Sequence, residues 1–174
     1  MRKYDEYVKA EVKGIYRVVF KDKYLSTLNI FVKPVYVILL TCPEWEDLVL
    51  PIYINEPEAM SIQMALEGLK PQRPLTHDLI LSMLDSLGIT IEKVTVDGVI
   101  SGVYVATIVL RDDRKSKPEY RYIDARPSDS IALAVRAGAP IYVAKHLVEY
   151  TVPADQFNYE NSEPSSEEDS LYEQ

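Results

Sequence analysis

The sequence predicts an α+β fold, a mixed and largely antiparallel sheet carrying about three helices. Three observations predict it. Most apolar segments are short, β-branched and alternating, with turn residues between them. Three other segments repeat their apolar residues at helical spacing, opened by proline or a small polar residue and followed by glycine or a chain break. The longest strongly apolar run, from Val35 to Leu40, is far too short to cross a membrane as a helix.

The elements follow in order. VKGIYRVVF (12–20) reads as a first strand, and NIFVKPVYVILLT (29–41) contains a second, with Pro34 at its edge or start. Residues 42–47 form a turn, and LVLPIYI (48–54) returns as a third strand. A helix begins near Pro57, with Ala59, Ile62, Leu66 and Leu69 on one face, and KPQRP (70–74) breaks the chain. A second helix over 76–87 presents Ile80, Met83, Leu84 and Leu87, and Gly88 stops it. ITIEKVTV (89–96) and GVYVATIVL (102–110) are strands joined by a DGVIS hairpin loop. A charged loop (111–119) leads to a strand at 120–125, a helix over 127–137 ended by Gly138, and a last strand at 140–144.

RPLTHDLI (73–80) and RPSDSIAL (126–133) share an Arg-Pro step, polar residues, an aspartate and an apolar run. Each leads to a glycine and a β-branched strand. This is consistent with internal duplication of a strand–helix–strand unit. It is equally consistent with two ordinary helix starts, where Pro, Ser, Thr and Asp are favoured on any fold.

Charge is distributed unevenly along the chain. The net charge is −8, but residues 151–174 hold seven acidic groups and no lysine or arginine, which leaves the first 150 residues at −1. We therefore expect one domain over 1–150 and an acidic, disordered tail over 151–174. Acidity confined to a tail does not exclude a phosphate-binding body. The single cysteine, Cys42, excludes an internal disulfide and fits a reducing cytoplasm. MRKYDEYVK is charged, with no apolar stretch after it, so no secretory leader is expected. Few Asn and Gln residues before position 150, with 13 tyrosines and 11 prolines, point toward a thermophile.

Helix starts expose unpaired N–H groups and attract anions. Arg73 and Arg126 beside such ends offer a two-pronged phosphate donor, and Ser128 a hydroxyl. Asp78 and Asp129 in first turns stay ionised, to orient water, bind a divalent cation or pair with an arginine. His77, one of two histidines, suits proton transfer near neutral pH. Glu58 opens the first helix; converging with Asp78 and Asp129, it would make an oxygen-ligand site for Mg²⁺. The same residue types also serve as caps and salt bridges. Zinc spacing, a phosphate-cradling glycine loop and a Gly-x-Ser-x-Gly elbow are all absent from the sequence. Tyr120 and Tyr122, flanking Arg121, offer stacking surfaces for a single strand.

LPIYINEPEAMSIQMALEG (50–68), RPLTHDLILSMLDSLG (73–88) and IDARPSDSIALAVRAGAPIYV (123–143), in that order, resemble the bifunctional nuclease family over about residues 35–150. His77-Asp78, Glu58-Ala59 and Arg126-Pro127-Ser128-Asp129 match its motifs. The chain departs where the family usually has a glycine after the Leu-Pro-Ile strand, reading Ile54-Asn55-Glu56-Pro57 instead. The resemblance implies a homo-oligomeric nuclease of low sequence selectivity, acting on DNA, RNA or both. The alternative is a non-catalytic oligomeric module that binds a nucleotide, nucleic acid or protein through the same helix ends. DNA lacks the 2′-hydroxyl, so one site cutting both polymers would need water as nucleophile. The expected roles are Arg73, Arg126 and Ser128 on phosphate, His77, Asp78 and Asp129 in catalysis, and Glu58, Asp78 and Asp129 on metal.

Overall fold

The computed structural model describes residues 6–18 and 35–157. Eight strands form one sheet: β1 (Tyr7–Val18), β2 (Val35–Thr41), β3 (Leu48–Ile54), β4 (Ile89–Ile100), β5 (Val103–Asp112), β6 (Glu119–Ala125), β7 (Ile141–Ala144) and β8 (Val152–Pro153). Their order across the sheet is β6-β5-β4-β7-β1-β2-β3-β8. Every pairing is antiparallel except β4 with β7. Three helices complete the α+β fold: α1 (Glu56–Leu66), α2 (Thr76–Ser86) and α3 (Pro127–Ala137). No helix among the described residues is long and apolar enough to cross a membrane.

The helices cover one face of the sheet. Ile38, Leu40, Leu50, Ile52 and Ile54 point to that face, where they meet Ala59 and Ile62 of α1 and Ile131, Ala132 and Ala134 of α3. Each fully buried Leu or Ile there contributes roughly 1.5–3 kcal/mol. The alternate residues Val37, Leu39 and Val49 form a second cluster with Val152, Ala154 and Phe157 on the other face. Residues 152–157 thus pack on the sheet through β8 and the residues after it. Residues 158–174, the rest of the acidic tail, and 29–34 of the expected second strand lie outside the described residues.

Three expectations are corrected. DGVIS is not a loop: Asp97 to Ile100 continue β4, helped by bulges at Ile91/Lys93 and Val96/Gly98. The turn shrinks to Ser101-Gly102, both with positive φ (51° and 78°), the twist that a two-residue hairpin requires. Leu66 and Leu69 do not join Ile62 in the core, because α1 ends at Leu66 and both side chains are exposed. On α2, Met83 and Leu87 are likewise exposed, while Ile80 packs against the core together with Leu81.

Candidate active site

Local sequence places the three helix starts together. At α3, Arg126 is extended (φ −69°, ψ 146°), as a residue before proline must be, and Pro127 takes the first helical position. Asp129 then falls in the first turn. α1 starts the same way, with Asn55 extended (φ −86°, ψ 165°), Pro57 in the first turn and Glu58 beside it. Asn55 has negative φ, so the missing family glycine leaves no strain at this position. α2 carries His77 and Asp78 in its first turn, and Asp78 Oδ2 accepts the Leu75 N–H at 2.9 Å.

One polar network links these starts. Arg126 Nε donates to Asp129 Oδ2 at 2.8 Å, and its Nη2 reaches Asp129 Oδ1 at 3.2 Å and Glu58 Oε1 at 2.9 Å. Asp129 Oδ1 lies 3.1 Å from His77 Nε2. His77 Nδ1 lies 2.7 Å from Ser61 Oγ. Arg136, near the far end of α3, donates to Ser61 Oγ at 3.0 Å, to Asp78 Oδ1 at 2.8 Å and to the Ala132 carbonyl at 3.1 Å.

Burial grades the network from inside to outside. The Arg136 side chain is 8% exposed and that of His77 10%, whereas Asp129 is 30% and Arg126 61% exposed. Arg126 stands at an open cleft of about 360 Å³, lined also by Tyr53, Asn55, Glu58, Tyr104 and Ser128. Burial raises the Asp129 carboxyl, but hydrogen bonds from Arg126 and His77 outweigh it and hold the group below its usual range. Asp78 behaves alike: burial raises it, while Arg136 and the Leu75 N–H bring it lower. Asp129 in turn holds the Arg126 guanidinium more firmly protonated.

His77, Asp129, Arg126 and Glu58 are thus brought together, and Ser128 is buried at the cleft. Asp78 joins through Arg136 and not through its own Arg-Pro step. Arg73 is exposed and makes no ion pair among the described residues, so it is not drawn into the network. The expected trio Glu58, Asp78 and Asp129 is not gathered into one group: Glu58 and Asp129 meet at Arg126, while Asp78 lies on Arg136. Among the described residues no group of three His, Cys, Asp or Glu side chains is arranged to hold a metal ion. Each of the three carboxylates lies on an arginine.

Two members were not singled out from sequence, Ser61 and Arg136. Ser61 sits mid-helix in EPEAMSIQMAL, where serine is a common neutral residue. Arg136 lies in the last turn of α3, where a cation suits the helix dipole. Only the fold brings Ser61 to His77 and Arg136 to Ser61 and Asp78.

A family model described as the bifunctional nuclease domain matches residues 37–154. An uncharacterized protein of Mycobacterium tuberculosis is 41% identical over 102 residues, 59% of this chain and 58% of that protein. Bifunctional nuclease 2 of Arabidopsis thaliana is 30% identical over 110 residues, 63% of this chain and 33% of the relative. A bifunctional nuclease of Oryza minuta is 25% identical over 139 residues, 72% of this chain and 42% of the relative. The chain spans less than two-thirds of the length of these relatives.

Proposed function

The chain belongs to the bifunctional nuclease domain family, and on that premise we propose that it hydrolyses phosphodiester bonds of DNA or RNA at the start of α3. The observation that carries the reading is Arg126. Its Nε and Nη2 are held by Asp129 and Glu58, while Nη1 makes no hydrogen bond among the described residues. One prong is therefore free to donate to a phosphate oxygen in the cleft. The Ser128 hydroxyl and the unpaired first-turn N–H groups of α3 add donors for the same oxyanion.

Water is the nucleophile, since DNA supplies no 2′-hydroxyl. Asp129 is the group to orient and deprotonate it. The carboxylate is ionised and 30% exposed beside Arg126, which lines the cleft, and its Oδ2 accepts only the Arg126 Nε, which leaves a lone pair for water. Positive charge from Arg126 stabilises the crowded phosphate while the P–O bond to water forms and the P–O bond to the leaving sugar oxygen breaks, that oxygen taking a proton from solvent. His77 supports Asp129 from behind, and Asp78 supports Arg136. Exposed apolar residues along α2 supply a surface for the expected homo-oligomer.

The test is cleavage of labelled single-stranded DNA and RNA by freshly purified protein, with and without EDTA. Asp129→Asn serves as the control for contaminating nucleases. The variant should lose at least about 100-fold in rate, the usual scale of a lost general base. A folded Asp129→Asn protein that cleaves at the full rate removes the assignment. A second reading, a binding module without chemistry, draws on one observation: every carboxylate of the network already has an arginine partner. Under that reading the protein retains single strands on a filter and leaves them intact.

A further inference from the structure

We propose, resting on the hydrolytic reading above, that Ser61 and Arg136 are positioning residues. With His77 they form a hydrogen-bond chain that runs one way and ends by fixing Asp129, the partner of Arg126 at the cleft. The chain's direction follows from its two ends, a guanidinium and an ionised carboxylate. A guanidinium carries donors only. Arg136 Nη2 therefore donates to Ser61 Oγ at 3.0 Å, while Nε and Nη1 are occupied by Asp78 and the Ala132 carbonyl.

Ser61 has one hydroxyl hydrogen. At the other end the ionised Asp129 carboxylate only accepts, so His77 Nε2 donates to its Oδ1 at 3.1 Å. In the neutral ring Nδ1 is then an acceptor, and the Ser61 hydrogen goes to it at 2.7 Å. Both ring nitrogens are spent on protein partners, and His77 is buried. It has no nitrogen to offer a water in the cleft. Its part is to hold the Asp129 carboxylate in one orientation, as a support and not a shuttle. Ser61 is not a nucleophile either, since it is buried and its hydroxyl is engaged by His77 and Arg136.

Glutamine separates support from shuttle. His77→Gln can present an amide N–H near the position of Nε2 but cannot transfer a proton, whereas His77→Ala offers neither. The chain predicts kcat for His77→Gln within about tenfold of wild type and a loss of about 100-fold for His77→Ala. Ser61→Ala should lower kcat three- to tenfold by freeing the ring, with KM unchanged. In the His77→Gln background the same serine change should cost less. If His77→Gln is as inactive as His77→Ala while both melt as folded proteins, His77 moves a proton and the proposal is overturned.

A second measurement does not depend on cleavage. In wild-type protein the ¹⁵N ring signals of His77 should show Nε2 protonated and Nδ1 as an acceptor, and Ser61→Ala or Arg136→Met should move the Nδ1 signal. Absent cleavage with these signals present sinks the hydrolytic reading and leaves the chain standing. Nδ1 protonated in wild type, or unmoved by both variants, sinks the chain.

Discussion

Arg126 caps α3 directly, with Pro127 as the first helical residue, whereas Arg73 stands ahead of Pro74 and Leu75, outside the first turn of α2. The two Arg-Pro segments look alike in sequence, and each puts its aspartate in the first helical turn. That shift of two residues decides which arginine each aspartate meets. Arg126 reaches Asp129 three positions on, along its own helix start. Asp78 is out of Arg73's pairing and takes Arg136 from α3, 58 positions away. The repeated element is thus the aspartate at a helix start, and the difference lies in what completes it. One version faces a cleft with a free guanidinium prong; the other is folded inward as a brace.

The comparison breaks most readily on chemistry. Asp129→Asn should cut the cleavage rate at least about 100-fold, while Asp78→Asn should act mainly on stability and leave the rate within about tenfold of wild type. Initial rates on one labelled single strand, with melting curves for each variant, decide it. Equal losses from both aspartates would make the two versions equivalent and undo the distinction between site and brace.

Stability sharpens it from the other side. Arg136→Met leaves Asp78 without its ion pair and Ser61 without its donor. Removing one partner of a buried pair costs about 3–5 kcal/mol, and because Asp78 is 31% exposed the lower value of about 2–3 kcal/mol is expected. The sign with pH follows from the lowered Asp78 and Asp129 carboxyls. Each contributes stability that is fully present above the unfolded carboxylate range near pH 4 and is lost as pH falls through the lower folded value. Acid unfolding of wild type should steepen below about pH 4. Arg136→Met should lose the part due to Asp78, measured as a flatter slope of denaturation midpoint against pH.

Much of this contrast could be anticipated from sequence, and the limits have physical causes. Glycine and proline marked helix ends well: Gly88 and Gly138 both adopt positive φ, at 66° and 65°. β3 has the expected boundaries, with Leu50, Ile52 and Ile54 in one cluster and Val49 in another, while Tyr53 stays exposed. Periodicity failed on α2, where Met83 and Leu87 follow helical spacing yet face solvent. Spacing tells which residues share a face and not whether anything covers that face. At the site, Asp129, Arg126 and His77 were visible as helix-start chemistry. Ser61 and Arg136 were not, since they meet His77 and Asp78 only across 16 and 58 positions of chain.

Substrate binding is the next smaller effect. Arg126→Ala removes the free prong and should raise KM about tenfold, near 1.4 kcal/mol, beyond any loss in kcat. Arg73→Ala should leave KM within about twofold, because its side chain joins nothing in the described network. Initial cleavage rates against the concentration of a labelled single strand read both. A larger loss from Arg73 than from Arg126 would return phosphate recognition to α2.

The smallest effect concerns the helices behind the two versions. α3 is buried along most of its length, with Ile131, Ala132 and Ala134 at 0% exposure. α2 turns a row to solvent, with Leu79 at 52% and Met83 at 57% exposure. A polar residue at either α2 position gives up little burial within one chain. Leu79→Gln and Met83→Gln should each change monomer stability by no more than about 0.5 kcal/mol, against about 2–5 kcal/mol for Leu133→Ala on α3. Self-association separates two meanings of the row. If copies of the chain meet there, the glutamine variants lower the mass seen by light scattering and remove the concentration dependence of Tm. If the row is simply wetted surface, mass and Tm stay as in wild type. The expected oligomer would then have to be built on another face, and α2 would differ from α3 only in having been left uncovered.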